Sequence, residues 1–132
     1  MCKITQELVD LIWEKGTVVP NYDESKFRKD PCGAWMVKSK YGDRKSLYGW
    51  EIDHIFPQAR LRELKVLEEE IDNINNLRPM NWQNNDSKGM DYPVYHAKVI
   101  SKENENIVGD YEFEVAAEDK EKVERLFGKY IR

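Results

Sequence analysis

The stretch GWEIDHIFPQ, residues 49–58, decides the fold that the sequence predicts. It is rich in aromatic and β-branched residues, which favour an extended strand, and Pro57 ends it. We therefore expect a short strand or hairpin arm over residues 48–56. Asp53 and His54 are neighbours in this strand, so their side chains point to opposite faces. A site that uses both residues should lie where the strand ends and the chain bends.

A second stretch, NINNLRPMNWQNNDSKG at residues 73–89, completes the local pattern. Its asparagines predict a turn, and the residues that follow predict a short extended piece that Pro79 excludes from the centre of a sheet. Residues 81–88 predict a helix of about two turns, closed by a glycine. Between the two stretches, apolar residues at helical spacing over 61–71 predict a single helix that is rich in Glu near its end.

The flanking segments predict a scaffold around this pattern. Apolar residues at helical spacing indicate a first helix at 5–15, whereas residues 17–48 show no clean period and should form loops and short extended pieces. A hairpin over 94–100 and 107–115 and an amphipathic helix at 118–131 follow. Strands and helices alternate without a regular β-α-β rhythm, so the predicted class is α+β.

Length and composition limit the kinds of protein that this chain can be. Its 132 residues fit one domain, 1–132, and 40% hydrophobic with 35% charged residues is typical of a globular protein. No stretch approaches the roughly 18 apolar residues of a transmembrane helix and no signal pattern opens the chain, so we expect no membrane partner and a cytoplasmic location. Cys2 and Cys32 are isolated and are interpreted as ordinary thiols.

The distribution of charge bears on the partner. The formal net charge of −4 argues weakly against nucleic acid. However, residues 26–65 contain ten basic and five acidic side chains, whereas residues 103–124 contain nine acidic and two basic ones. Either both segments are ordinary solvated faces, or the first faces a polyanion and the second faces away from it.

Polar residues of types that serve in catalysis or metal binding follow one another through the two stretches: Asp53 and His54, then Asn76, Asn85 and Lys88. Each alone has a structural explanation, as a core histidine, a turn residue or a helix cap. Together they are what a hydrolytic magnesium site needs, because Mg²⁺ prefers hard oxygen ligands such as Asp53 and Asn85 and keeps most of its water. His54 is then the natural base for that water.

The stretches EIDHIFPQ and NNLRPMNWQNNDSKG resemble the HNH endonuclease family, also called ββα-metal or His-Me finger nucleases, in its small bacterial or phage form. The resemblance covers about residues 48–89, which would be the motif core. It implies two short strands and a helix around one divalent metal, here with flanking helices and an extra C-terminal β-hairpin and helix. The spacing from Asn76 to Asn85 suits a strand that leads directly into the helix.

The resemblance also implies roles for individual residues. His54 would be the general base, Asp53 and Asn85 would hold Mg²⁺ or Mn²⁺, and Asn76 would pin the loop between the strands and orient the histidine. Lys88 would approach the phosphate backbone. The other basic side chains that are candidates for backbone contacts are Arg44, Lys45, Arg60 and Arg78.

Glu51 and Asn81 are candidates for auxiliary ligands. The remaining histidine, His96, lies in the predicted hairpin and is expected to be structural.

The chain departs from the family in two places. It lacks the paired Cys-x-x-Cys motifs that hold a structural zinc in many members, so no structural zinc is expected. The loop that is often Gly-Gly-Asp is here LRELKVLEEEIDN, residues 61–73, whose three consecutive acids would repel DNA if they faced it.

The expected function is therefore a metal-dependent endonuclease that hydrolyses DNA phosphodiester bonds, with RNA left open as a substrate. The alternative is a catalytically inactive HNH-derived module that binds nucleic acid or another protein, which the acidic balance favours. A homodimer or a partner protein is compatible with both, since one site cuts one strand.

Overall fold

A computed structural model describes residues 4–132; Cys2 lies outside this range. Helix α1 spans Gln6–Trp13, and the Thr5 side chain caps it by accepting a hydrogen bond from the backbone amide of Leu8. The helix predicted at 5–15 is thereby confirmed, slightly shortened at its C-terminal end. Its buried residues are Val9, Ile12 and Trp13.

Residues 17–48 form loops and short extended pieces, as their sequence predicts. Strands β1 (Phe27–Lys29) and β2 (Trp35–Val37) pair antiparallel, and a 3-10 turn over Lys38–Lys40 follows. Each strand has only three residues, so this region depends on the rest of the chain for its position.

The centre of the fold is an antiparallel strand pair followed directly by a helix. Strand β3 (Trp50–His54) pairs with β4 (Leu77–Asn81), and helix α4 (Trp82–Lys88) begins at the next residue. The Asn81 side chain caps α4 by accepting from the Gln83 amide at 2.9 Å. Gly89 ends α4 with a φ of 51°, in the left-handed region that glycine adopts readily. The predicted strand, extended piece and helix are all confirmed.

The segment between β3 and β4 differs from the single helix predicted over 61–71. It contains two short helices, α2 (Gln58–Glu63) and α3 (Glu68–Ile71), separated by a turn in which Lys65 has a φ of 65°. A left-handed residue breaks a helix, and a lysine in that conformation leaves no turn signal in the sequence. The regular spacing of apolar residues therefore continues across the turn that interrupts the helix, and both helices contribute to the core.

The C-terminal part is a hairpin and a helix. Strand β5 (Val94–Lys102) pairs with β6 (Glu105–Glu114), with a register irregularity between Ala97 and Val99, and helix α5 (Ala117–Ile131) closes the chain. Both elements confirm the prediction from the sequence.

Two hydrophobic clusters lie on opposite faces of the central strand pair. The smaller one joins α1 to β3 and β4 through Trp13 and Trp50, whose ring centroids are 5.3 Å apart. The larger one joins α2, α3, the hairpin and α5, with Tyr95 and Phe127 at most 1% exposed. The central pair is thus held between two packed layers, which fixes the faces on which its polar side chains lie.

Asp30, in the loop between β1 and β2, ties the N-terminal region to the central unit. One carboxylate oxygen accepts from the backbone amides of Cys32 and Ala34 at 2.8 and 2.9 Å. The other accepts from the Asn81 amide and the Asn84 side chain, both at 3.0 Å. The side chain is 2% exposed, and burial raises the pKa of its carboxyl group while these hydrogen bonds act in the opposite direction.

Buried asparagines continue this connection to the hairpin. The Asn84 amide nitrogen donates to the carbonyl of Val99, and its oxygen accepts from the Lys98 and Val99 amides. Asn106 of β6 exchanges hydrogen bonds with the backbone of Trp35 in β2. The Asn84 side chain thus connects α4 to β5, and the Asn106 side chain connects β6 to β2, with which it shares no ladder.

The whole is a mixed α and β protein with small antiparallel sheets, in agreement with the predicted α+β class. Cys32 is buried, and this burial raises the pKa of its thiol to about 12, which agrees with an ordinary structural thiol. Within residues 4–132, no helix is long and apolar enough to cross a membrane.

Candidate active site

Asp53 lies opposite Arg78 on the strand pair, on the face that α4 covers. Its carboxylate accepts a hydrogen bond from the Arg78 Nε at 2.9 Å and lies 3.3 Å from the Lys88 Nζ. All three side chains are at most 5% exposed. The expected metal ligand is therefore part of a buried cluster in which two cations face one carboxylate.

Lys88 lies in the interior and not at the surface where a DNA backbone would pass. Its side chain is 1% exposed, and besides Asp53 its ammonium binds the carbonyl oxygen of His54 at 3.0 Å. Burial lowers its pKa, while the charge of Asp53 acts in the opposite direction. The position of Lys88 does not support a direct phosphate contact; the side chain instead joins α4 to the end of β3.

Arg78 is also buried, although the sequence makes it a candidate for contact with the DNA backbone. Its guanidinium lies 5.6 Å from the centre of the Tyr95 ring, and its Nη1 is 3.8 Å from an oxygen of Asp119. Its Nη2 has no hydrogen-bond partner among the described residues. Burial at this position makes Arg78 a partner of Asp53 and not an exposed phosphate contact.

His54 is the last residue of β3, and its ring has a partner separate from those of Asp53. Its Nε2 is 2.7 Å from Oδ1 of Asp72, the residue after α3. The imidazole side chain is 8% exposed. Asp53 and His54 thus contact different groups, as expected for successive positions of a strand, and His54 lies at the strand end.

Asn76 fixes the two ends of the segment that connects β3 to β4. Its side-chain oxygen accepts from the Phe56 amide at 2.9 Å, and its nitrogen donates to the carbonyls of Phe56 and Ile71 at 3.2 and 3.1 Å. Its own carbonyl accepts from the Ile55 amide at 2.8 Å. The chain beside His54 is therefore held by a completely buried amide, while the orientation of the histidine by Asn76 stays a prediction.

Asn85 faces β3 from helix α4, one turn before Lys88. Its amide nitrogen donates to Oε1 of Glu51 at 3.1 Å, so in this structure it contacts Glu51 and not Asp53. Glu51 and Asp53 share one face of β3, being two residues apart. Glu51 and Asp53 therefore occupy adjacent positions on this face of β3, and Asn85 contacts the first of them from α4.

Arg44 lies beside Glu51 at the surface. Its guanidinium binds both oxygens of Glu51, at 2.7 and 2.9 Å, and both oxygens of Asp86, at 3.0 Å each. The side chain remains about half exposed. Arg44 is thus at the surface, as expected, but two carboxylates already neutralise it.

The other two candidate DNA contacts also reach solvent. Lys45 is exposed, and Arg60 is partly exposed with its guanidinium 4.7 Å from the centre of the Phe56 ring. Two of the three consecutive acids between β3 and β4 have partners in the protein, since Glu68 pairs with Arg62 and Glu70 accepts from the Tyr130 hydroxyl. His96 lies on β5, where its Nδ1 is 2.8 Å from Asp110.

The oxygen donors of this site fit a hard divalent cation in type. Within residues 4–132, no group of three or more His, Cys, Asp or Glu is arranged to hold a metal. A site at Asp53 would therefore use one carboxylate, the amide oxygen of Asn85 and water, which is a donor set that Mg²⁺ accepts. A cation there would compete with the ammonium of Lys88, which now lies 3.3 Å from the carboxylate.

Asp72 is the site residue that the sequence reasoning missed, and no residue pattern in its loop marks it as a partner of His54. Asp30 and Asn84 were also missed, since a polar residue carries no sign of its burial.

Comparisons of the chain with protein-family models, with curated proteins and with solved structures found no match.

Proposed function

We propose that this chain is a metal-dependent endonuclease of the HNH, or ββα-metal, type that hydrolyses phosphodiester bonds in DNA. The observation that carries the proposal is the arrangement of β3, β4 and α4, in which His54 ends a strand and Lys88 fastens the helix to that end. Asp53 belongs to β3, Asn85 to α4 and Asn76 to the turn that precedes β4, so the residues named by the resemblance lie in or next to these three elements.

The reaction follows from the chemistry of the side chains. His54 accepts a proton from water, and the water oxygen forms a bond to phosphorus while the bond to the 3′ oxygen breaks. The electron pair of the broken bond stays on the 3′ oxygen, which takes a proton from a second water molecule, so the products are a 5′-phosphate and a 3′-hydroxyl. Asn76 keeps the segment next to the histidine in place throughout.

Asp53 and Asn85 are the residues that would hold Mg²⁺ or Mn²⁺. When bound, the metal supplies polarisation of the phosphate and stabilises negative charge on the leaving oxygen. Lys45 and Arg60 are the candidates for contacts with neighbouring phosphates, because they reach solvent.

The first experiment is conversion of supercoiled plasmid by the purified protein with Mg²⁺, Mn²⁺ or EDTA. We expect nicking that requires metal and is lost in His54→Ala and Asn85→Ala. His96→Ala is the matched control, because it removes the other histidine, which is exposed and paired with Asp110. Nicking that survives in His54→Ala would contradict the proposal. Direct linearisation would indicate two sites acting together, as in a homodimer.

A second candidate function is a catalytically inactive module that binds nucleic acid or a protein. The pairing of Asp53 with Arg78 and Lys88 favours it, because a carboxylate that two buried cations neutralise does not need a metal. Salt-sensitive DNA binding that is the same with Mg²⁺ and EDTA, without cleavage in either, would support this module over the nuclease.

A further inference from the structure

His54, the proposed base, forms a buried pair with an acid that the proposed reaction does not use. The Nε2 of His54 and Oδ1 of Asp72 are 2.7 Å apart, and their side chains are 8% and 2% exposed. His54 ends β3 and Asp72 follows α3, so the pair joins two elements across the connection between the strands.

The donor and acceptor roles in this pair follow from chemistry. When Asp72 is ionised, its carboxylate can only accept hydrogen bonds, and Nε2 of His54 is then the donor of this bond. In a neutral imidazole with its proton on Nε2, the free electron pair is on Nδ1. We propose that Asp72 is a positioning residue, which holds His54 in the Nε2–H form and makes Nδ1 the nitrogen that takes a proton from water. This inference rests on the proposed nuclease function.

The surroundings of the pair suit this role. Asp53, the nearer acid along the chain, is engaged by Arg78 and Lys88 and does not compete for the ring. The position of Asp72 is fixed in turn, since its amide donates to the Glu68 carbonyl at 3.0 Å as α3 ends. The preceding carbonyl, that of residue 71, is held by Asn76. Asn76 thus holds both the loop that follows His54 and the loop that carries Asp72.

The kinetic test compares Asp72→Asn and Asp72→Ala with Glu69→Gln, which removes an exposed acid from the same short helix region. We expect kcat for DNA cleavage to fall by about 10- to 100-fold in both Asp72 variants, the usual effect of losing an orienting partner. KM should stay within about twofold, since Asp72 is not expected to touch DNA. Glu69→Gln should match the wild type in both constants.

The spectroscopic test reads the imidazole itself. Nitrogen-15 NMR of the wild type should show His54 in the Nε2–H form, with the signal identified by its loss in His54→Ala. In Asp72→Ala we expect a mixture of both neutral forms, while the His96 signal stays unchanged. Thermal unfolding followed by circular dichroism verifies that each variant is folded, so that a lost activity is not mistaken for a lost fold.

The two tests separate this inference from the proposed function. If the wild type cuts DNA and Asp72→Asn or Asp72→Ala keeps the wild-type kcat, the positioning role is overturned and the nuclease stands. If no metal supports cleavage by the wild type, the nuclease and the role in catalysis both fail. The NMR spectra then still decide whether Asp72 sets the form of the ring, and an unchanged spectrum in Asp72→Ala overturns that as well.

Discussion

Asn76 shows what one side chain contributes to this molecule. It is completely buried and makes three side-chain hydrogen bonds, each to a main-chain group. Removing such a residue leaves donors and acceptors without partners in a place that water does not reach, which is more costly than the bonds themselves are worth.

We expect Asn76→Ala to lower the free energy of unfolding by about 3 kcal/mol, because several buried polar groups lose their partner at once. Urea unfolding followed by tryptophan fluorescence measures this change. Asn75→Ala is the control, since the Asn75 side chain is exposed, and it should change stability by less than about 0.5 kcal/mol. Equal midpoints for the two variants would contradict the pinning role.

A substitution of Lys88 distinguishes a buried structural ion pair from a surface contact with phosphate. We expect Lys88→Met to destabilise the fold by about 3 kcal/mol, the effect of removing one partner of a buried ion pair. The exposed Lys45→Met should leave the unfolding midpoint nearly unchanged. If Lys88→Met unfolded like the wild type and only bound DNA more weakly, its ammonium would contact phosphate and the buried pair with Asp53 would be wrong.

At the scale of elements, the loop that leads into β3 is packed too closely for any side chain at Gly49. A Cβ there would lie 1.8 Å from the carbonyl oxygen of Asp43, which is backbone and cannot move aside cheaply. The same loop provides the carbonyls of Ser46 and Leu47 that bind the Trp82 and Asn81 side chains at the start of α4.

We therefore expect Gly49→Ala to destabilise the protein by about 3 kcal/mol, as overpacking of a tight site does. Differential scanning calorimetry measures the loss as a lower unfolding temperature. Gly128→Ala is the control, because the atoms nearest to a Cβ there belong to the flexible end of the Glu124 side chain, which can move aside. A wild-type unfolding temperature for Gly49→Ala would show that the loop lies elsewhere.

The β5–β6 hairpin carries an exposed pair whose charge responds to pH. The hydrogen bond to Asp110, and then the charge of that residue, raise the pKa of His96 above its ordinary value of 6.5. A raised histidine pKa means that the pair stabilises the fold below pH 6.5 and that this contribution is lost as the pH rises through the folded pKa. Because the pair is exposed, the effect on stability should be small.

Proton NMR should show His96 titrating above 6.5, and Asp110→Asn should return the midpoint toward that value. Asp91→Asn is the matched control, since Asp91 acts on His96 through its charge alone and should shift the midpoint less. An unchanged midpoint in Asp110→Asn would show that the pair does not persist in solution.

At the scale of the whole molecule, sequence periodicity predicts the elements well and burial of polar residues poorly. Helix α5 and the C-terminal hairpin are evident because their apolar residues recur at regular spacing over ten residues or more. The break at Lys65 is not, because a non-glycine residue in a left-handed conformation has no characteristic neighbour. Lys88 and Asp30 are hydrophilic, so sequence alone assigns them to the surface, although tertiary hydrogen bonds and ion pairs place both in the interior.

The proposed contact with DNA is a property of the whole charge distribution. We expect Lys45→Ala combined with Arg60→Ala to reduce the slope of log K against log salt by about 1.8, if each cation neutralises one phosphate of duplex DNA. Lys102→Ala combined with Lys129→Ala removes the same charge from the C-terminal part and should leave the slope unchanged. Fluorescence anisotropy over a series of salt concentrations gives both slopes, and equal slopes would place the DNA elsewhere.

The hydrogen bonds of Asp30 have a consequence for protein engineering. They run from a loop near the N-terminus to the junction of β4 and α4, and Asn84 extends them to β5. A cassette cut out at residues 48–89 would therefore lose the acceptor for two of its own buried donors and expose Trp50 and Met80 to water. Grafting residues 48–89 into a foreign scaffold would require an acidic loop from the host at the same junction. The segment is therefore transferable only together with a loop that does the work of Asp30.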